Sequence, residues 1–90
     1  MEKFKELIAR SEKAVGRKEV LRGITEGTIW CVIVSEDADQ DIKDEIESAA
    51  FRRGAELRWT PSKDELGRLA GIKVAAACVG LKKESAKNQL

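Results

Sequence analysis

Ile29-Trp30-Cys31-Val32-Ile33-Val34 is the run that decides the fold. Nearly every residue in it is β-branched or aromatic, so it reads as a strand. A strand solvated on one face alternates apolar with polar residues. An unbroken apolar run instead marks a strand covered on both faces. Such a strand needs helices above and below its sheet, and the flanking sequence supplies them.

Upstream, Phe4, Leu7, Ile8, Ser11 and Ala14/Val15 follow i, i+3, i+4 spacing, which predicts an amphipathic helix over 2–13. Val20, Leu21 and Ile24 predict a second helix from Arg17 to Glu26, ended by Gly27. Downstream, Ser35 to Gln40 is acidic and turn-like, with Asp37 or Asp39 placed to cap the next helix. Ile42, Ile46, Ala49 and Ala50 form the inner face of that helix, Lys43, Asp44, Glu45 and Glu47 its outer face, and Gly54 breaks it. Ala55 to Thr60 alternates with period two, as a half-exposed strand near the sheet edge does. Pro61 stops it, and Ser62 with Glu65 reads as a capping box for a short helix from Ser62 to Ala70. Gly71 then turns the chain into a last strand, Val74 to Val79. Strands alternating with helices imply an α/β fold, a three-layer α-β-α sandwich with a small mixed central sheet.

Ninety residues suit one domain, expected over 1–82, with a polar tail over 83–90. No apolar run is long enough to span a bilayer, so no membrane partner is expected. Met1-Glu2-Lys3-Phe4-Lys5 lacks the apolar core of a signal peptide, which gives a cytoplasmic expectation. Cys31 and Cys78 each sit within apolar sequence and read as small buried hydrophobes. A disulfide between neighbouring strands stays open but is disfavoured in a reducing compartment. Two cysteines without any histidine cannot complete a zinc site.

The net charge of +1 hides a segregation. Residues 1–23 carry seven Lys/Arg and four acids, 24–51 one Lys and eight acids, and 52–90 nine Lys/Arg and four acids. A fold joining the first and last thirds would present one basic and one acidic face, the basic one suited to a polyanion.

Enzyme chemistry finds no support. The commonest general base is missing, and there is neither a nucleophile elbow nor a phosphate loop. Glu36-Asp37-Ala38-Asp39-Gln40-Asp41 lacks the central Gly and distant Glu of a calcium loop, and its acids suit the positive end of the following helix. No metal and no cofactor are expected.

Gly16-Arg17-Lys18-Glu19-Val20-Leu21-Arg22 is more unusual. Cations at a helix N-terminus are unfavourable by about 0.3–1 kcal/mol against the helix dipole, a cost that an anionic partner offsets. Lys18 and Arg22 share a face at i, i+4. A carboxylate among cations accepts hydrogen bonds from base N–H groups while its neighbours hold phosphates or base oxygens. The plainer alternative is an intrahelical Glu19–Arg22 ion pair. Gly71-Ile72-Lys73-Val74 either exposes apolar groups beside a cation, which suits unstacked bases, or begins the buried strand. Trp30 reads as core, whereas Trp59 on the edge strand is left open between core and stacking surface.

Taken in order, these segments resemble the kink-turn RNA-binding ribosomal proteins of the L-seven-Ae and L-thirty-e type, and their short bacterial relatives in particular. That family opens its second helix with Gly-x-Asn-Glu-x-x-Lys, matched here by Gly16 to Arg22. It continues with an apolar strand, an acidic turn and a Ser-Lys-x-x-Leu-Gly helix, matched by Cys31 to Gln40 and by Ser62-Lys63-Asp64-Glu65-Leu66-Gly67-Arg68. The Ala75-Ala76-Ala77 segment follows, and the resemblance covers roughly 3–82. It implies a bent duplex with tandem sheared G·A pairs as ligand, in ribosomal RNA or a riboswitch, and neither DNA nor an enzymatic role. Glu19 would read guanine, Lys18 base oxygens, and Arg22 a base or phosphate. Gly16 opens the motif, Arg17 and Lys63 would hold backbone, and Asp39 would touch the bulge. The Ile72-Lys73-Val74 loop would cover unstacked nucleotides. Lys18 replaces the family's Asn, Gln40 its Pro, and Glu26 stands where some relatives carry a cation.

The expected protein is therefore a monomeric RNA binder. Its rivals are a protein-interaction module or dimerising regulator using the acidic middle third, and a charge-driven duplex binder.

Overall fold

A computed structural model describes residues 2–83. In chain order the elements are α1 (Glu2–Arg10), β1 (Lys13–Val15), α2 (Arg17–Glu26), β2 (Ile29–Ser35), α3 (Gln40–Arg53), β3 (Glu56–Thr60), α4 (Lys63–Ala70) and β4 (Cys78–Lys82). The strands form one mixed sheet in the order β1-β4-β2-β3. β2 and β3 are parallel, with Cys31 opposite Glu56 and Ser35 opposite Thr60. β4 runs antiparallel to both its neighbours, with Val79 opposite Val15 and Cys78 opposite Val34.

The apolar run in β2 is covered on both faces. Val32 and Val34 pack with Val20 and Ile24 of α2 and Ile46 and Ala49 of α3. Cys31 and Ile33 pack with Ile8 of α1 and Leu66 and Ala70 of α4. Two helices on each side of the sheet give a three-layer α-β-α sandwich. Each large aliphatic side chain so buried contributes about 1.5–3 kcal/mol. A bulge interrupts the register, since Ile29 faces Lys82 whereas Cys31 faces Leu81. It turns both Trp30 and Cys31 toward α1 and α4, where Trp30 is half-buried against the core. α2 lies close to the sheet because Gly23 and Gly80 leave room for Ile29. A Cβ on either glycine would meet Ile29 Cδ1, at 2.4 and 2.5 Å.

Three sequence expectations need correction. The first helix stops at Arg10, and Lys13–Val15 forms a strand. Ser11 and the Lys13 ammonium bond the last carbonyls of α1, Ser11 Oγ to Leu7 O at 2.6 Å and Lys13 Nζ to Ile8 O at 2.9 Å, and end it. The last strand begins at Cys78 rather than Val74. Ala76 is buried against α4, not paired in the sheet, which is why an apolar stretch there mimics a strand. Asp39 occupies the N-cap position of α3 without a side-chain cap, while Asp37 accepts from Lys63 N–H at 3.0 Å, at the start of α4 instead. Cys31 and Cys78 are buried and free, as the sequence suggests, and they point to opposite sides of the sheet, which rules out a disulfide between them.

The charge pattern also takes a different shape. Basic α2 and acidic α3 lie side by side on one face of the sheet, so the two signs abut rather than separate. From residue 84 onward the expected polar tail lies outside the described residues. Lys83, where it was expected to begin, bonds through its N–H to Thr28 O at 2.8 Å.

Candidate functional site

Strand direction assembles the site. β1, β2 and β3 point the same way, and each is followed by a helix, so α2, α3 and α4 all start at one end of the sheet. The loop from α4 into β4 arrives at that same end. In α/β folds this is where ligands bind. Backbone bonds tie the edge together: Gly16 N–H to Cys78 O at 3.1 Å, Ser35 N–H to Ala77 O at 2.9 Å, and Glu36 N–H to Thr60 O at 2.8 Å. Gly16, Arg17, Lys18, Glu19, Asp39 and Lys63, distant in sequence, therefore lie at one rim, whereas Ile72 follows the C-terminal end of α4, and Lys73 and Val74 lie on the way back along that helix toward the rim. Arg22 follows one turn along α2.

Gly16 is the hinge into α2. Its φ of 95° lies in the left-handed half of backbone space that side-chain-bearing residues rarely adopt. It caps α2 without a side chain, so the first-turn amides have no side-chain acceptor. Arg17 is exposed and donates from Nε to Glu45 Oε1 at 2.7 Å. Lys18 is exposed and makes no ion pair among the described residues. Glu19 and Arg22 approach to 3.7 Å, and both side chains are more than half exposed. An exposed i, i+3 pair this loose contributes only about 0.2–0.5 kcal/mol, so both groups remain free to exchange partners.

The other side of the rim is built by Asp37. Its Oδ1 accepts from Ser35 Oγ at 2.9 Å and from Lys63 N–H at 3.0 Å, which fixes the start of α4 against the end of β2. The Lys63 side chain is exposed, and its carbonyl accepts from Ala76 N–H at 3.1 Å. Ile72 is half-buried and anchors the loop in the core, while Lys73 and Val74 are exposed, Val74 by 69%. Trp59 is 41% exposed and lines a shallow hollow with Glu36 and Lys43 at the β3 edge.

The rim thus combines a carboxylate between cations with an uncapped helix start, and the loop that returns along α4 toward it carries an exposed apolar side chain next to a lysine. That set donates to and accepts from base edges, holds phosphate and covers an unstacked ring. No group of three or more His, Cys, Asp or Glu among the described residues is arranged to hold a metal ion. Three contributors were missed from sequence. Glu45 engages Arg17, Asp37 places Lys63, and Gly67 lies under the loop. Asp37, a carboxylate just past a strand, and Gly67, a glycine inside a helix, carried a visible signal; Glu45 did not.

Over residues 2–90 the sequence matches the Ribosomal protein L7Ae/L30e/S12e/Gadd45 family. The chain belongs to that family. It is 32% identical over 78 residues to an RNA-binding protein of Geobacillus sp. (strain WCH70), covering 87% of this chain and 95% of that one. It is 30% identical over 78 residues to RNA-binding protein YbxF of Geobacillus stearothermophilus, with the same coverage. The fold is shared with a 15.5kD RNA binding protein of Giardia lamblia, at TM-score 0.79 and 24% identity over 94% of this chain and 72% of that one. A Bacillus halodurans protein of unknown function matches at TM-score 0.81 and 19% identity, over 97% and 91% of the two chains. Within this L7Ae-type fold, the rim lies at the strand ends where the Gly16–Arg22 motif opens α2.

Proposed function

We propose that this L7Ae-family protein binds structured RNA, and specifically a kink-turn with tandem sheared G·A pairs, as a cytoplasmic monomer. One observation carries the reading: Glu19, flanked by Lys18 and Arg22, sits on an uncapped helix start, and the loop that returns toward the same end of the sheet exposes Lys73 and Val74. The relatives named as RNA-binding proteins support it. Sheared pairing frees the guanine N–H edge for Glu19 and leaves O6 for a cation. Phosphates go to the α2 amides with Arg17, Arg22 and Lys63. Ribosomal RNA and a riboswitch both offer such an element, and the bent form is selected through its better fit.

The test is a titration with an end-labelled kink-turn duplex and a control whose G·A pairs are replaced by Watson–Crick pairs, at two salt concentrations. Tight binding and bending of the first RNA alone is the expected result. Equal weak binding to both would leave a charge-driven duplex binder. The acidic outer face of α3, where Phe51 is 86% exposed beside Asp44 and Glu47, favours a protein-interaction role as the second reading. Binding to neither RNA, with a concentration-dependent size, would select it.

A further inference from the structure

Gly67 has a different role from the glycines that turn the chain. It sits inside α4, where alanine is the more stable residue, and its backbone is not in the left-handed region. A break with local preference inside a helix points to a tertiary demand. The demand is visible in how the next segment runs. Gly71 ends α4, and the chain then doubles back along the helix it has just left. Ile72 N–H bonds to Gly67 O at 3.1 Å, and four residues later Ala76 N–H bonds to Lys63 O, also at 3.1 Å. Between these two bonds the backbone lies directly on the helix. A Cβ at position 67 would stand 2.2 Å from Val74 O, 3.2 Å from Val74 C and 3.3 Å from Ala75 Cα. All three atoms are main chain, so no rotamer change relieves the contact.

The seating leaves Val74 itself facing outward, 69% exposed. The core therefore does not fix this side chain; the backbone does. We infer that Gly67 is a positioning residue for RNA recognition, holding the Lys73-Val74 tip at a fixed height over the middle of α4, two residues before Ala76 reaches Lys63. The inference rests on the RNA-binding reading above. A tip held in place before the ligand arrives is not ordered at the ligand's expense, which raises affinity.

Gly67→Ala lifts the tip while leaving the charges of Arg17, Lys18, Glu19, Arg22 and Lys63 in place. In titrations of the kink-turn duplex, Gly67→Ala is expected to weaken binding about tenfold with an unchanged salt slope. In a Val74→Ala background the same change is expected to cost little, because the two residues act through one contact. Additive losses, or a lowered salt slope, would overturn the assignment. Amide hydrogen exchange of the parent protein gives a readout that needs neither RNA nor a foldable variant. Slow exchange at Ile72 and Ala76 is expected, and fast exchange at both would show that the tip is not seated. Failure of the kink-turn reading would appear separately, as equal binding of the parent protein to both duplexes.

Discussion

Arg17 on α2 reaches across to Glu45 on α3, with Nε and Nη2 both 2.7 Å from the same carboxylate oxygen, Oε1. The contact joins the basic and acidic segments at the rim itself. Both side chains are about half exposed, so water and salt screen the pair and it contributes only about 0–1 kcal/mol. A phosphate can displace Glu45, but the displaced carboxylate remains nearby and repels it. Glu45 thus works against loose phosphate binding. Glu45→Gln is expected to tighten both the kink-turn duplex and its Watson–Crick control, by about two- to fivefold at low salt, and to narrow the gap between them. Titration of both RNAs checks this. A gain for the kink-turn alone would mean that Glu45 does not act through charge.

Glu19 separates recognition from stability. Its 3.7 Å approach to Arg22 is too loose to hold the helix, so Glu19→Ala should shift the urea midpoint very little. The same change should weaken kink-turn binding by about 1–3 kcal/mol, the range for losing a good base contact. The Watson–Crick control should be bound no worse, since removing a negative charge does not harm phosphate contacts. An unchanged dissociation constant would refute the role given to Glu19.

The central architecture was legible because β2 states its burial directly: an apolar run with no alternation leaves no solvated face. α2 and α3 were legible through their spacing and through Gly27 and Gly54, which end them in the left-handed conformation. β1 was not, because three residues carry no usable period and Ala14 and Val15 also extend the spacing of α1. The start of β4 was misplaced because Ala75, Ala76 and Ala77 are as apolar as a strand, although Ala75 crosses over Gly67 and Ala76 bonds to Lys63 O on α4. At the rim, the motif residues could be named from sequence, but their neighbours could not. Glu45 lies 28 residues from Arg17, and Asp37 lies 26 from Lys63. Such pairings depend on which helices share a face, which spacing alone does not reveal.

The cysteines set an alkaline limit on stability. Burial pushes the Cys31 thiol from its ordinary 9.0 up to about 11, with Glu56 adding to the rise and Arg58 opposing it. Burial does the same to Cys78, against a smaller opposing effect of Arg17. Below pH 9 both states keep their thiols protonated, so the full stability is present. As pH rises from 9 toward 11 the unfolded chain loses protons that the native protein retains, and stability falls. Urea midpoints at about pH 8 and about pH 10 should show the drop, and Cys31→Ala with Cys78→Ala should flatten it. In the native protein both thiols should react slowly with a thiol reagent, and unfolding should release them. Rapid labelling of the native chain would contradict the burial.

Asp37 is the residue whose loss should affect fold and site together. One oxygen accepts both the Ser35 hydroxyl and the Lys63 amide, and Ser35 is fully buried. Asp37→Ala leaves that hydroxyl without its partner and strips the first amide of α4 of its acceptor. Unsatisfied groups of this kind cost about 1–3 kcal/mol, which should appear as a lower urea midpoint with an unchanged slope. Asp37→Asn keeps an acceptor oxygen and should recover most of the loss. RNA binding supplies the second readout, because Lys63 and the loop bonded to its carbonyl are held through this carboxylate. Asp37→Ala should therefore weaken kink-turn binding even under conditions where the variant is fully folded, and Asp37→Asn should restore it. Full affinity in the folded Ala variant would show that α4 holds its place without Asp37.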